Sequence, residues 1–357
     1  MAGFASSMQR FEDWLAEALK GELVVEDLDC KHEKMAKSPF AFLRATYWRF
    51  AETILDVCPD LAAAPPLLAV GDTHLENFGT WRDAEGRLIW GVNDFDEAAV
   101  MPYALDLVRL AASALLGRGA DAAPGSSAVA RAILSGYRRA LEAPQPIVLE
   151  RDHKWLRKAV MLPEGERRSF WEKMEAIEPG RQPVPQRFVA ALGRALPAGA
   201  TEVVIGRRTG AGLGSLGRPR FVARATWCGG PVVREAKAVL PSAWTLCHGP
   251  KDAEIRIGEI AAGRGRAADP HYRVDGGVVL RRLSPNSRKL DVKSAVAELL
   301  SLRMLELMGA EVGNCHAAGP VEIGAVRADL AARPQDWLRR AAKDAARLVA
   351  EEHAAFA

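Results

Sequence analysis

The chain has 357 residues, a net charge of +3, 49% hydrophobic residues and 26% charged residues, the proportions of a globular protein long enough for one large domain or two lobes. That mildly basic charge falls well short of a nucleic-acid-binding surface but suits an anionic ligand. Five cysteines, Cys30, Cys58, Cys228, Cys247 and Cys315, are scattered and contain no C-x-x-C pair, which argues against a disulfide framework or zinc site and fits a reducing compartment.

The N-terminal stretch MAGFASSMQRFEDWL turns polar before a signal-peptide core forms, and the longest apolar run, Leu61 to Val70, contains Pro65 and Pro66. It is too short for a bilayer span, so a cytoplasmic location without a membrane partner is expected. Residues 8–57 predict helices, with Phe11, Trp14, Leu15, Ala18 and Leu19 at helical spacing and Ser38-Pro39 marking a helix start. Leu67 to Val70 and Arg87 to Val92 are short apolar runs with a turn at Asp83 to Gly86 between them, and predict a small β-hairpin flanking a polar loop. Helix returns over 104–117, 127–143 and much of 150–195. Residues 201–283 predict strands at Thr201–Gly206, Arg220–Cys228, Pro231–Leu240 and Gly277–Leu283, with one helix at Glu254–Ala262. Residues 291–310 and 325–356 are helical in pattern. The expected organisation is N-terminal helices over 1–66, a helical lobe with the hairpin over 67–200, a β-rich lobe over 201–290, and C-terminal helices over 291–357 that return to the helical lobe.

Three segments carry chemistry. Gly71-Asp-Thr-His-Leu-Glu-Asn-Phe-Gly79 concentrates Asp72, His74 and Asn77 where a strand ends. An aspartate there can take a proton from an attacking hydroxyl, and an asparagine carbonyl is a hard oxygen ligand for Mg²⁺. His74 is expected to orient the loop by hydrogen bonding. Asp94, Asp96 and Glu97 place three carboxylates in four residues across the hairpin, a cluster that a cation would neutralise. Either segment alone reads as a polar turn; together they read as a metal and phosphate site. The third segment, Gly210 to Gly217, holds Gly212, Gly214 and Gly217 as G-x-G-x-x-G, with Ser215 inside it. No helix follows, as a dinucleotide fold would require, and no Gly-Lys-Ser/Thr, as a Walker loop would require. A strand, a Gly-Gly turn and a second strand bearing Lys237 follow instead, the protein-kinase order of glycine loop and lysine. Lys237 would then hold the α/β-phosphates, with Glu259, or its rival Glu254, as its ion-pair partner. Arg207, Arg208, Arg218, Arg220, Arg281 and Arg282 cluster around this lobe and are expected on the solvated surface.

The pattern Gly71-Asp-x-His-x-x-Asn77, then Asp94-Phe95, then Asp106-Leu107 resembles the aminoglycoside phosphotransferase and choline kinase branch of the kinase-like superfamily. The resemblance implies that Asp72 is the base, that Asn77 and Asp94 hold magnesium, and that Asp106 buttresses the loop. Ser38-Pro-Phe-Ala-Phe-Leu-Arg44, the Gly71–Gly79 segment, Asn93-Asp-Phe-Asp-Glu97, Asp106-Leu-Val-Arg-Leu-Ala-Ala-Ser113 and Gly212-Leu-Gly-Ser-Leu-Gly217 are similar to the signatures of the bacterial family called domain of unknown function 2252, over roughly residues 35–320. That family has Arg-Gly where this chain has Arg44-Ala45, and its C-terminal region is shortened or diverged here.

An ordinary kinase carries the glycine loop and lysine ahead of the catalytic loop; here the order is reversed. The expected fold is therefore α+β and protein-kinase-like with two lobes, circularly permuted, with the β-rich nucleotide lobe seated over the Asp72–Asp94 hairpin. The expected activity is ATP- and Mg²⁺-dependent phosphotransfer to a hydroxyl of a small molecule or protein. A nucleotide-binding pseudokinase or an AMP-transferase of the same fold is the alternative. A metallophosphoesterase is disfavoured, because no second histidine stands in a suitable context. His316 reads as a structural residue at a helix end.

Overall fold

The computed structural model describes residues 3–118, 124–180, 182–210, 212–250, 254–317 and 323–357; Ala211, within the expected glycine loop, lies outside them. Four helices come first, α1 (Phe4–Leu19), α2 (Val25–Met35), α3 (Pro39–Ala45) and α4 (Tyr47–Val57). Ser38 caps α3 as its sequence predicts: its Oγ accepts the Ala41 N–H at 3.2 Å and Pro39 fills the first turn. Four short strands follow, β1 (Pro66–Ala69), β2 (Phe78–Arg82), β3 (Leu88–Val92) and β4 (Ala99–Pro102). Then come α5 (Ala104–Gly117), α6 (Ser126–Glu142), β5 (Ile147–Val148), α7 (Lys154–Ala159), α8 (Glu164–Glu175) and α9 (Gln186–Ala195). The β-rich segment contains β6 (Thr201–Arg207), β7 (Arg220–Trp227), β8 (Gly230–Ala238), α10 (Ala243–His248), α11 (Ile257–Ala261), β9 (Arg273–Asp275) and β10 (Val278–Leu283). The last helices are α12 (Val292–Leu299), α13 (Leu302–His316), α14 (Ile323–Ala332) and α15 (Trp337–Phe356).

This is a mixed α+β fold whose described strands form three separate sheets, ordered β1-β4, β2-β3-β5 and β6-β7-β8-β10-β9. The hairpin differs from expectation. Leu88–Val92 pairs with β2, whereas Leu67 and its neighbours pair with β4. Strand β2 is buried on both faces over its first four residues, so its sequence lacks the alternation that marks a half-buried strand. The turn itself is as read: the Asp83 carboxylate accepts the N–H groups of Glu85 and Arg87 and closes the β2–β3 connection. The helix expected over 254–262 shortens to α11, and α10 was not foreseen.

The five-stranded sheet obeys a period of two. Phe221, Ala223, Ala236, Ala238, Val278 and Leu280 face outward against Leu15, Leu19 and Leu28 of α1 and α2 and Phe188 and Leu192 of α9. Burying each large apolar side chain there contributes about 1.5–3 kcal/mol. The opposite face carries the cross-strand pairs Arg220–Lys237 and Glu235–Arg281, turned toward the helical body. Helix α2 and the residue before it also grip the glycine loop at both ends. The Val24 N–H donates to Gly217 O, Lys34 Nζ donates to Gly210 O, and Asp27 Oδ1 accepts the Gly210 N–H, each at 3.0 Å.

The helical body centres on α6 crossing α13 and α5 against α15. The α6–α13 approach is set by Gly136 and Gly309, whose absent side chains leave room for the carbonyls of Glu306 and Ile133. Gly309→Ala is expected to force the helices apart and destabilise the protein by about 1–3 kcal/mol, read as a lower urea midpoint. An unchanged midpoint would contradict the close approach. No described helix is long and apolar enough to cross a membrane.

Candidate active site

One face of α5 builds the loop that carries Asp72. Asp106, Arg109 and Ser113 lie three and four residues apart and all point at residues 70–75. The Asp106 carboxylate accepts the N–H groups of Val70 and Gly71 at 2.8 Å each, and Thr73 Oγ1 donates to Asp106 O at 2.6 Å. Ser113 Oγ accepts the Leu75 N–H at 3.1 Å. Behind Asp106 a buried relay completes its shell: Tyr137 O–H donates to His316 Nδ1 at 2.8 Å, and His316 Nε2 donates to Asp106 Oδ2 at 2.9 Å. His316 is thus structural, as read, but it acts on the loop and does more than end α13.

Arg109 was missed in the sequence. Its guanidinium lies over the rings of Tyr47 and Phe50 and grips Asp72 Oδ1 through Nε at 2.9 Å and Nη2 at 2.6 Å. Asp72 Oδ2 is left facing the glycine loop: a side chain on Gly214 would place its Cβ 3.4 Å from that oxygen and 3.1 Å from Arg44 O. Burial pushes the Asp72 carboxyl up, Arg109 pulls it down, and the net direction is upward. Burial, with Arg44 and Arg109 nearby, holds His74 well below the usual imidazole range, so it is neutral. Its Nδ1 accepts the Glu76 N–H at 3.2 Å, while Nε2 stands 3.9 Å from Asp72 Oδ2. Both contacts lie within the loop that carries Asp72.

Asn77 precedes β2 and Asp94 follows β3, so the hairpin brings them together. Asn77 Nδ2 donates to the backbone oxygens of Asp72 and Asp94 at 3.0 Å each. Its Oδ1 is buried and has no hydrogen-bond partner. Lys237 reaches down from β8 to ion-pair with Asp96 and lies 3.5 Å from Asp94 Oδ1. Burial alone would raise the Asp94 carboxyl, but Lys237, Lys289 and Arg281 hold it far below the usual carboxylate range. Among the described residues no group of three or more His, Cys, Asp or Glu side chains is arranged to hold a metal ion.

The structure does not join Lys237 to Glu259. Glu259 pairs with Arg256 at 2.6 Å, and Glu254 is exposed. Helix α11 sinks Ile257 and Ile260 into the helical body, which turns Glu259 away from the sheet. The buried glutamate of the β-lobe is Glu235, two residues before Lys237, and it gathers Arg208 at 2.6 Å, Arg220 at 2.9 Å and Arg281 at 2.6 Å. Arg218 pairs with Glu97 at 3.1 Å. Contrary to the surface expectation, Arg218 and Arg220 are buried and Arg208 and Arg281 half-buried; Arg220 and Arg281 lie on the covered face of the sheet. Arg207 is exposed as expected.

Gly212, Gly214 and Ser215 line a cavity of about 70 Å³ together with Asp72, His74, Asn77, Asp94 and Asp96. Gly217 closes the loop against α2. Ser215 Oγ accepts from Arg220 at 2.9 Å. A second cavity of about 610 Å³ adjoins at Lys289; it lies between β10 and the β2–β3 hairpin and is lined by Trp81, Phe95, Phe170, Tyr272, Arg208 and Arg281.

The site therefore joins a half-buried aspartate, an unpaired amide oxygen, two further carboxylates and a lysine near a glycine loop. Residues 23–159, which supply all of these except the glycine loop and Lys237, match the family model DUF2252, described as an uncharacterized protein conserved in bacteria. The match ends well short of the β-rich segment. No curated protein and no solved structure matches the chain.

Proposed function

We propose that the protein is an ATP- and Mg²⁺-dependent phosphotransferase with a permuted two-lobed kinase-like fold, acting on a hydroxyl acceptor. The observation that carries this reading is the convergence of Asp72, Asn77, Asp94 and Gly214 from distant parts of the chain on one cavity, with Lys237 3.5 Å from Asp94 Oδ1. Lys237 of β8 and Arg282 of β10 reach the hairpin region at Asp94 and Arg82, which supports a permuted two-lobed reading. The 610 Å³ cavity between the β-lobe and the hairpin has aromatic walls for a base and cations for phosphates.

Asn77 Oδ1 and Asp94 would hold Mg²⁺, which keeps much of its water and takes only one or two protein oxygens in nucleotide sites. The buried, unpaired Asn77 Oδ1 fits that role. The ion, when bound, neutralises phosphate charge. Lys237 would turn from Asp94 and Asp96 to the nucleotide phosphates. The acceptor hydroxyl would give its proton to Asp72 Oδ2 as its oxygen bonds to the γ-phosphorus and the bond to ADP breaks. Charge neutralisation and positioning would supply most of the acceleration.

ATP with Mg²⁺ is expected to raise the melting temperature, with a stabilisation of about 2.7 kcal/mol at a hundredfold excess over Kd, and Lys237→Met is expected to remove most of it. No shift with either nucleotide or metal would overturn the reading. ATP labelled at the α- or γ-phosphate separates phosphoryl from adenylyl transfer, and binding without transfer of either label would identify a nucleotide-binding regulator.

A further inference from the structure

We propose that Arg44 and Arg218 form an oxyanion subsite at the floor of the small cavity, which holds a phosphoryl group beside Asp72; the phosphoryl source named below rests on the phosphotransferase reading. Both side chains line the cavity with Asp72, Asn77 and Gly214. Arg44 comes from the end of α3 and spends Nη1 on Glu76 Oε2 at 2.7 Å. Its Nε–H is buried without an acceptor. Arg218 follows the glycine loop and spends Nη2 on Glu97. Its Nη1 is buried without a hydrogen bond, standing 3.5 Å from Asp96 Oδ2.

Most carboxylates around the cavity already face a cation. Arg109 holds Asp72, Arg44 holds Glu76, and Lys237 holds Asp96. Glu97 also accepts the Ala243 N–H at 2.7 Å. Arg44 Nε–H and Arg218 Nη1–H are thus buried without a hydrogen bond; Asp96 Oδ2, likewise without one and 3.5 Å from Arg218 Nη1, is beyond ordinary hydrogen-bond length, and buried donors are seldom left so. A cavity of about 70 Å³ admits a few waters or one tetrahedral oxyanion but not a nucleotide. Planar guanidinium forks suit phosphoryl oxygens. The glycine loop lies directly above, at Gly214. The group held there is either the terminal phosphate of the nucleotide or a phosphate on the acceptor.

The test compares wild type with Arg44→Gln, whose side chain is partly exposed, using calorimetry with ADP, the non-hydrolysable β,γ-imido analogue of ATP, and inorganic phosphate, each with Mg²⁺. If the source is the nucleotide, wild type prefers the triphosphate analogue over ADP by about 10- to 100-fold, and Arg44→Gln brings that ratio close to one with ADP affinity unchanged. If the source is the acceptor, inorganic phosphate binds wild type and is lost in the variant. Arg44→Lys, which keeps charge but not the planar fork, is expected to recover only part of either effect. A ratio and a phosphate affinity both unchanged in a folded Arg44→Gln overturn the subsite. Wild type that binds no nucleotide sinks the phosphotransferase reading instead, and the phosphate arm still decides the subsite.

Discussion

Asp72→Asn is expected to lower transfer by about 10²- to 10⁴-fold, the range a positioned general base supplies, while the nucleotide Kd stays close to that of wild type. The substitution is nearly isosteric. Its amide oxygen can keep both Arg109 bonds, which leaves the amide nitrogen where Asp72 Oδ2 faces Gly214. That nitrogen cannot accept a proton, and the loop has no second base in reach. His74 uses Nδ1 on the Glu76 N–H and stands 3.9 Å away through Nε2. Single-turnover transfer of the γ-phosphate, measured beside nucleotide titration, checks both halves. A variant that turns over like wild type removes Asp72 from the reaction.

The largest stability effect is expected at Asp106. Its side chain is fully buried and satisfies the N–H groups of Val70 and Gly71 and the ring of His316. Asp106→Ala strands all three in a core that excludes water. At about 1–3 kcal/mol for each unsatisfied group, with some relaxation, a loss of about 3–5 kcal/mol follows. Guanidinium unfolding measures it. The variant should also lose transfer, because Asp72 follows directly on the two amides that Asp106 holds. A loss under about 1 kcal/mol would mean that the loop finds other partners.

The site was legible in the sequence where local turn chemistry built it. Asn77 and Asp94 flank a hairpin whose Asp83 turn is a strong local signal, and the glycines before Lys237 separate two clear strands. What escaped lies in long-range pairing. Nothing local to Leu67 says that its partner is Met101, because both strands have only four residues. The partner of Lys237 depended on how α11 turns, and that follows from where Ile257 and Ile260 find a core. Arg109 was within reach: Asp106, Arg109 and Ser113 stand on one helical face, and a buttressing aspartate invites inspection of its neighbours at i+3 and i+7. The arginines around Glu235 were misassigned because a strand face that is charged reads as exposed until something is known to cover it.

The ion pair that joins Asp96 to Lys237 also sets an order of events during synthesis. Asp94 and Lys237 are separated by 143 residues, which a ribosome adds in roughly 7 to 29 s. Throughout that interval the hairpin carboxylates have emerged and their lysine has not. The catalytic loop can settle on α5 early, but its acidic edge stays uncompensated until β8 arrives. On the proposed phosphotransferase reading, newly made chains are expected to bind no nucleotide until the β-rich segment has been translated and has docked, and a ribosome stalled ahead of residue 237 would hold the Asp72 loop without Lys237.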